Sequence, residues 1–127
     1  MSRPILLDTS FLIALERETA SGEIGPARRF LPSLRGRRLV ISAVNVEELL
    51  EGAADEAAAV ASLQRFAIQG LHLAQARRCA LLQRRASRRL GANDAWLVAT
   101  AESLDADVVG ANRAAFARLG ARYLRFC

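Results

Sequence analysis

The sequence predicts an α/β fold: one domain with a mainly parallel central sheet of about five strands, flanked by helices. Three observations predict it. Short apolar runs alternate with stretches of helical periodicity along the whole chain, as βαβ units do. Glycines and other turn formers punctuate the boundaries between them. Polar side chains stand where strands would end: Asp8 after Ile5-Leu6-Leu7, Glu48 in the helix that follows Leu39-Val40-Ile41-Ser42, Asp94 at the opening of a helix, and Asn112 after Val108-Val109-Gly110-Ala111. In an open parallel sheet, ligands bind beyond the carboxyl ends of the strands.

Taken in order, a strand is expected at residues 4–8 and a helix at 10–18. Glu18 to Pro26 reads as a loop rich in turn formers. A helix over 26–34 is stopped by Gly36, and the second strand is 38–42. Ser42 suits the N-cap of a helix over 43–53, closed near Gly52. Ala54 to Gln69 is alanine-rich and reads as helix up to Gly70. A short strand is expected at 71–73, helices at 74–90 and 93–104, and a strand at 107–111. A short helix at 113–119 with Gly120 as its stop and a last strand at 121–126 complete the chain.

Composition narrows the function classes. The 127 residues suit a single domain spanning 1–127. At 52% apolar, the chain can build a real core. No run of ~18 apolar residues is present, so a transmembrane helix is not expected. Asp8 interrupts the first apolar run and no cleavage site follows, so the start does not read as a signal peptide. Cys79 and Cys127 do not make a disulfide framework, and a cytoplasmic location is expected. His72 is the single histidine, which excludes a two-histidine ribonuclease mechanism and a histidine-rich zinc site. It reads as structural.

The carboxylates carry the chemistry. Asp8 fits either an N-cap or a site residue, with Ser10 placed to orient it or to cap the same helix. Helical geometry alone does not choose between Glu47 and Glu48. Asp94 shares the i, i+3, i+4, i+7 stripe of Leu97, Val98 and Ala101, which predicts that it faces inward, where an unpaired carboxylate is costly. Carboxylates gathered at one sheet edge repel one another unless a cation sits between them. That pattern points to a divalent-metal site.

Charge points to an anionic partner. The net charge is +5, and all 18 basic residues are arginine, whose planar fork suits phosphate. Arg77, Arg78, Arg84, Arg85, Arg88 and Arg89 fall within an arc of about 140° if one helix carries them all. No acid lies between Glu56 and Asp94. Arg84, Arg85, Arg88 and Arg89 are therefore candidate contacts to an RNA backbone. An ordinary solvated helix face remains the bland alternative.

Four segments resemble, in order, the motifs of PIN-domain ribonucleases, in particular the VapC-type toxins of bacterial and archaeal toxin–antitoxin pairs. They are Leu6-Leu7-Asp8-Thr9-Ser10, Ile41 to Gly52, Asn93 to Ala101, and Val108 to Phe116. In the second motif the acid directly precedes the Leu, which selects Glu48 over Glu47. The resemblance implies a Mg²⁺- or Mn²⁺-dependent endoribonuclease in which Asp8, Glu48 and Asp94 hold the metal and Asn112 completes the catalytic set. It also implies an RNA substrate, a cognate antitoxin protein and a homodimer, with no membrane role. The fourth motif departs from the family pattern: Gly110, Asn112 and Ala115 stand where the family often has Thr, an acid or Asn, and a further acid. Asn112 can ligate through its carbonyl oxygen but adds no charge, so a second metal would be held less firmly. The alternative is a catalytically weak or inactive PIN-like module that binds RNA or protein through its arginines.

Overall fold

The computed structural model describes residues 2–111 and 117–127. Its sheet is built from β1 (Ile5–Leu7), β2 (Leu39–Ser42), β3 (Ala67–Gln69), β4 (Asp107–Gly110) and β5 (Tyr123–Arg125). The strand order is β3-β2-β1-β4-β5, and every neighbouring pair is parallel. Among the described residues, six α-helices accompany it: α1 (Thr9–Ser21), α2 (Pro26–Phe30), α3 (Ala43–Glu51), α4 (Glu56–Ser62), α5 (Leu73–Arg85) and α6 (Ala92–Leu104). The α/β class, the parallel sheet and the five strands are as the sequence predicts.

The central strands are short and almost wholly apolar because helices cover both faces of the sheet. Successive side chains point to opposite sides. Leu6, Val40 and Val108 enter one core with Cys79 and Leu82 of α5 and Ala95, Val98 and Ala99 of α6. Ile5, Leu7, Ile41 and Val109 enter the other with Phe11, Leu12 and Leu15 of α1, Ala27 of α2 and Leu49 of α3. Phe11 fills the second core edge-on to Phe126, with ring centroids 5.1 Å apart.

At the amino edge of the sheet, Asp107 pairs with Arg37 at 2.6 Å and lies 3.6 Å from Arg3. Asp105 pairs with Arg122. These acids therefore staple the strand starts, at the end opposite Asp8. Among the described residues, no helix is long and apolar enough to cross a membrane. Cys79 is buried, Cys127 is exposed, and both are free thiols.

Several boundaries depart from the sequence reading, each for a local reason. α1 runs three residues past its expected end at residue 18, to Ser21, and Gly22 closes it at φ 74°. The helix expected over 26–34 changes to a 3-10 turn at Leu31–Leu34, where Pro32 has no N–H to give the α ladder. The helix expected over 54–69 is only α4, started by the Asp55 side chain accepting from the Ala58 N–H. The strand expected at 71–73 lies instead at Ala67–Gln69, in register with Val40–Ser42. His72 stands at the start of α5, where its N–H donates to Gln75 Oε1. The helix expected at 113–119 falls partly outside the described residues; Ala117–Arg122 form 3-10 turns.

α5 stops at Arg85, five residues short of its expected end at residue 90, because Gln83 bends the chain back. Its side-chain amide donates to the Leu90 carbonyl at 3.0 Å and accepts the Leu90 N–H at 2.9 Å. At the other end of the α5–α6 pair, Gln75 donates to Ser103 at 3.1 Å. The two helices thus lie antiparallel, which brings the start of α6 to the carboxyl edge of the sheet.

Candidate active site

Asp8 follows β1 and stands at the N-cap position of α1, yet its side chain makes no capping bond. Instead Oδ2 accepts the Ser10 hydroxyl at 2.8 Å. Ser10 Oγ in turn accepts the Ala111 N–H at 3.1 Å, tying Asp8 to the end of β4. Gly110 makes that approach possible. A Cβ there would come within 3.0 Å of Asp8 Oδ2 and 3.1 Å of Asp8 Cβ, so a side chain would press on the carboxylate.

Glu48 lies on α3, whose first turn is capped by Ser42 Oγ accepting the Val44 N–H at 3.2 Å. Glu48 is half-buried, and its Oε1 accepts from Thr9 Oγ1 at 3.1 Å and from Asn45 Nδ2 at 3.2 Å. Glu47 is exposed, and a hydrogen bond to Glu51 followed by the charge of that group pushes its carboxyl up. The two adjacent acids therefore point to different surroundings, and only Glu48 is joined to the segment after β1.

Asp94 sits in the first turn of α6, three residues after the Gly91 N-cap. It is exposed, which corrects the expectation that it faces inward. The apolar stripe of α6 begins one residue later, at the buried Ala95; at the sheet edge the stripe has already left the core.

The Glu48 charge reaches both Asp8 and Asp94. Burial pushes the Asp8 carboxyl above its ordinary 3.8, offset in part by the Ser10 hydroxyl and the nearby Thr9 and Ser10 amides, with the Glu48 charge adding to the rise. Partial burial also pushes Asp94 up, and again the Glu48 charge adds to it. Among the described residues, no arginine pairs with Asp8, Glu48 or Asp94. Glu48 is thus the middle member of an acidic group without a paired counter-charge there. Among the described residues, no three acid, His or Cys side chains converge closely enough to hold an ion at once. Asn112 lies outside the described residues.

The arginines divide. Arg77, Arg78, Arg84 and Arg85 are exposed on α5 or at its end. Arg88 and Arg89 are exposed too, but they stand in the turn after α5, so the single helical face of six arginines does not exist. The Gln83 clamp on Leu90 shapes that turn, and no helical spacing announces it. Arg84 and Arg89 nevertheless meet, with Trp96 and Ala92, around one shallow cavity of about 360 Å³ between α5 and α6.

Thr9, Asn45 and Gln83 were missed by pattern reading. Asn45 lies three residues before Glu48 on α3, a spacing that places two helical side chains side by side; that signal is present but weak.

Comparison with solved structures finds the same fold in toxin–antitoxin proteins. A toxin–antitoxin complex from Klebsiella pneumoniae superposes with TM-score 0.76 at 24% identity, covering 94% of this chain and 95% of that one. VapBC-1 from nontypeable Haemophilus influenzae gives 0.71 at 22%, covering 96% and 97%. Mycobacterium tuberculosis VapC20, described as a sarcin-ricin loop cleaving toxin, gives 0.65 at 21%, covering 90% and 94%. No curated protein matches the chain. A family model described as the PIN domain matches residues 5–121, a span that runs from β1 to the turns before β5. With Asp8, Glu48 and Asp94 all inside that span, the chain belongs to the PIN domain family.

Proposed function

We propose that this protein is a Mg²⁺- or Mn²⁺-dependent endoribonuclease, the VapC-type toxin of a toxin–antitoxin pair. The observation that carries the reading is the uncompensated acidic group: burial raises the carboxyls of Asp8 and Asp94, the Glu48 charge adds to each rise, and among the described residues no arginine pairs with any of the three. An all-oxygen donor set suits a hard divalent cation. Mg²⁺ is commonly held by one or two carboxylates together with waters and substrate phosphate, so a loosely spaced set of acids fits it.

Asp8, Glu48 and Asp94 would share the ion, one or two of them binding it directly and the rest acting through bound water or substrate phosphate, and Asn112 would add a neutral oxygen to the set. The chemistry that a bound divalent ion would supply there is Lewis-acid activation of water and charge stabilisation at the leaving oxygen. The chain's own contribution is placement. Ser10 fixes Asp8 against the end of β4. Thr9 and Asn45 fix Glu48. Arg84 and Arg85 on α5, with Arg88 and Arg89 in the following turn, draw the RNA backbone toward that edge. Replacing Arg84 and Arg85 together by Glu is expected to weaken RNA binding at least ~10-fold and to flatten its salt dependence. Filter binding of a labelled RNA across a salt series reads both; an unchanged slope would remove α5 from the RNA path.

The antitoxin partner is supported by the fold neighbours, which were solved as toxin–antitoxin complexes. It is also supported by a groove of about 690 Å³ beside α1. Leu15, Leu31, Leu34 and Phe66 make its floor, and Arg28, Arg35, Arg37 and Arg65 stand around it. An acidic amphipathic segment of the antitoxin complements that lining. The protein acts as a homodimer in this reading.

The deciding experiment is cleavage of structured RNAs by the purified, antitoxin-free protein with Mg²⁺ or Mn²⁺ and with EDTA. Cleavage that EDTA abolishes and Mn²⁺ restores is the expected result. Folded protein that binds RNA but cleaves none under either ion would overturn the nuclease reading in favour of a binding module.

A further inference from the structure

Glu48 is held by a closed triangle of side chains. Asn45 is only 2% exposed. Its amide nitrogen donates to Thr9 Oγ1 at 2.7 Å and to Glu48 Oε1 at 3.2 Å. The Thr9 hydroxyl donates to the same Oε1 at 3.1 Å. Within the triangle the amide nitrogen and the threonine hydroxyl are both used as donors toward Glu48. Both bonds to Glu48 end on Oε1, and Oε2 accepts from no donor among the described residues.

The amide can satisfy this triangle in one orientation only. Turned over, its oxygen would face the Glu48 carboxylate, acceptor against negative charge. In the orientation present, Asn45 Oδ1 is buried without a hydrogen-bond partner among the described residues. A buried acceptor left unpaired is destabilising. The amide is thus oriented by its two acceptors, Thr9 Oγ1 and Glu48 Oε1, and not by a partner for its own oxygen.

We propose that Asn45 is a positioning residue. With Thr9 it saturates Oε1 of Glu48, locks that side chain beside Asp8, and leaves Oε2 as the single oxygen offered to a divalent cation. The proposal rests on the cation-site reading above and adds to it a ligand mode and a selectivity. A carboxylate restricted to one free oxygen suits the six-coordinate preference of Mg²⁺ and Mn²⁺. One free to turn both oxygens inward suits Ca²⁺, which takes more ligands and accepts bidentate carboxylates. The triangle also joins residues far apart in sequence, so it sets the spacing between the first turn of α1 and α3.

The test is calorimetric titration of the metal-free full-length protein with MnCl₂ and, separately, CaCl₂, without RNA, alongside thermal melts. Asn45→Ala and Thr9→Val are each expected to weaken Mn²⁺ binding ~10- to 100-fold, the range typical of lost outer-shell partners. Ca²⁺ affinity should fall less, so the Mn²⁺ preference shrinks. Thr9→Ser, which keeps the hydroxyl, is expected to restore both, and the metal-free melting temperature should stay near wild type. Thr9→Val is close to isosteric and keeps the test decisive if Asn45→Ala fails to fold. Unchanged Mn²⁺ affinity in Thr9→Val and Asn45→Ala, with loss in Glu48→Gln, would overturn the positioning role and leave the cation site standing. Unchanged affinity in Glu48→Gln as well would overturn the cation site and the proposal with it. Weaker binding accompanied by a matching fall in melting temperature and no change in Mn²⁺ preference would reduce Asn45 to a structural residue and overturn the proposal.

Discussion

Alanine at Asp94 is expected to lower metal-dependent RNA cleavage by at least ~10²-fold while the protein stays folded. Asp94 is exposed in the first turn of α6, and its removal touches neither core. Asp8→Ala should lose as much, but it also strips Ser10 of its acceptor, so Asp94 gives the cleaner comparison. Asp94→Asn makes a second, opposite readout. Because partial burial and the Glu48 charge raise the Asp94 carboxyl, the folded protein holds that proton more tightly than the unfolded chain does. Ionisation of Asp94 therefore opposes folding. The penalty sets in as pH rises past the ordinary value of 3.8 and is complete above the raised one. Asn removes it, so at neutral pH the metal-free variant should melt slightly above wild type while cleaving no RNA. Added Mn²⁺ should raise the wild-type melting temperature more than that of Asp94→Asn. Cleavage by Asp94→Ala near the wild-type rate would remove Asp94 from the active site.

The largest stability effect is expected away from the site, at Glu18. This buried carboxylate near the end of α1 accepts the backbone N–H groups of Gly25, Ala27 and Arg28 at 2.9, 3.0 and 2.8 Å, all at the start of α2. It does the work of an N-cap from seven residues away, because Gly25 at the cap position has no side chain. There is no room for one: a Cβ on Gly25 would come within 2.6 Å of the Glu18 carboxyl carbon. Glu18→Ala leaves three donors without that acceptor and should lower the melting temperature by roughly 5 °C or more. Burial raises the Glu18 carboxyl, but the three amides, with the charge of Arg29, outweigh it and hold it below its ordinary 4.5. A depressed carboxyl contributes its stability above the unfolded value and loses it as pH falls through the folded one. The gap in melting temperature between wild type and Glu18→Ala should therefore be full at neutral pH and close progressively below about pH 4.5. A gap that persists unchanged into strong acid would show that packing, not the charged cap, holds α2.

Glu18 also shows where pattern reading stops. By sequence it belonged to a loop rich in turn formers, since its role depends on amides seven to ten residues later. β3 lies four residues before its expected place for a related reason. Alanine-rich sequence favours helix, and Ala67–Gln69 becomes strand because Val40–Ser42 offers a free edge in register. The end of α5 depends on one glutamine reaching round to Leu90, which no helical repeat announces.

The sequence by itself determined what period and composition encode. Apolar runs buried on both sides demanded a covered parallel sheet, and the order of strands and helices placed Asp8 and the helix bearing Glu48 at its carboxyl edge. Its arginine-only basic set pointed to an anionic partner. The tertiary structure alone decided how those acids are held. Ser10 reaching Ala111, Thr9 and Asn45 converging on one oxygen of Glu48, and Asp94 emerging into solvent at the first turn of α6 are contacts set by packing. Hydrogen bonds that join side chains many residues apart leave no periodic trace in the chain; they exist only once the two cores have fixed the elements that carry them.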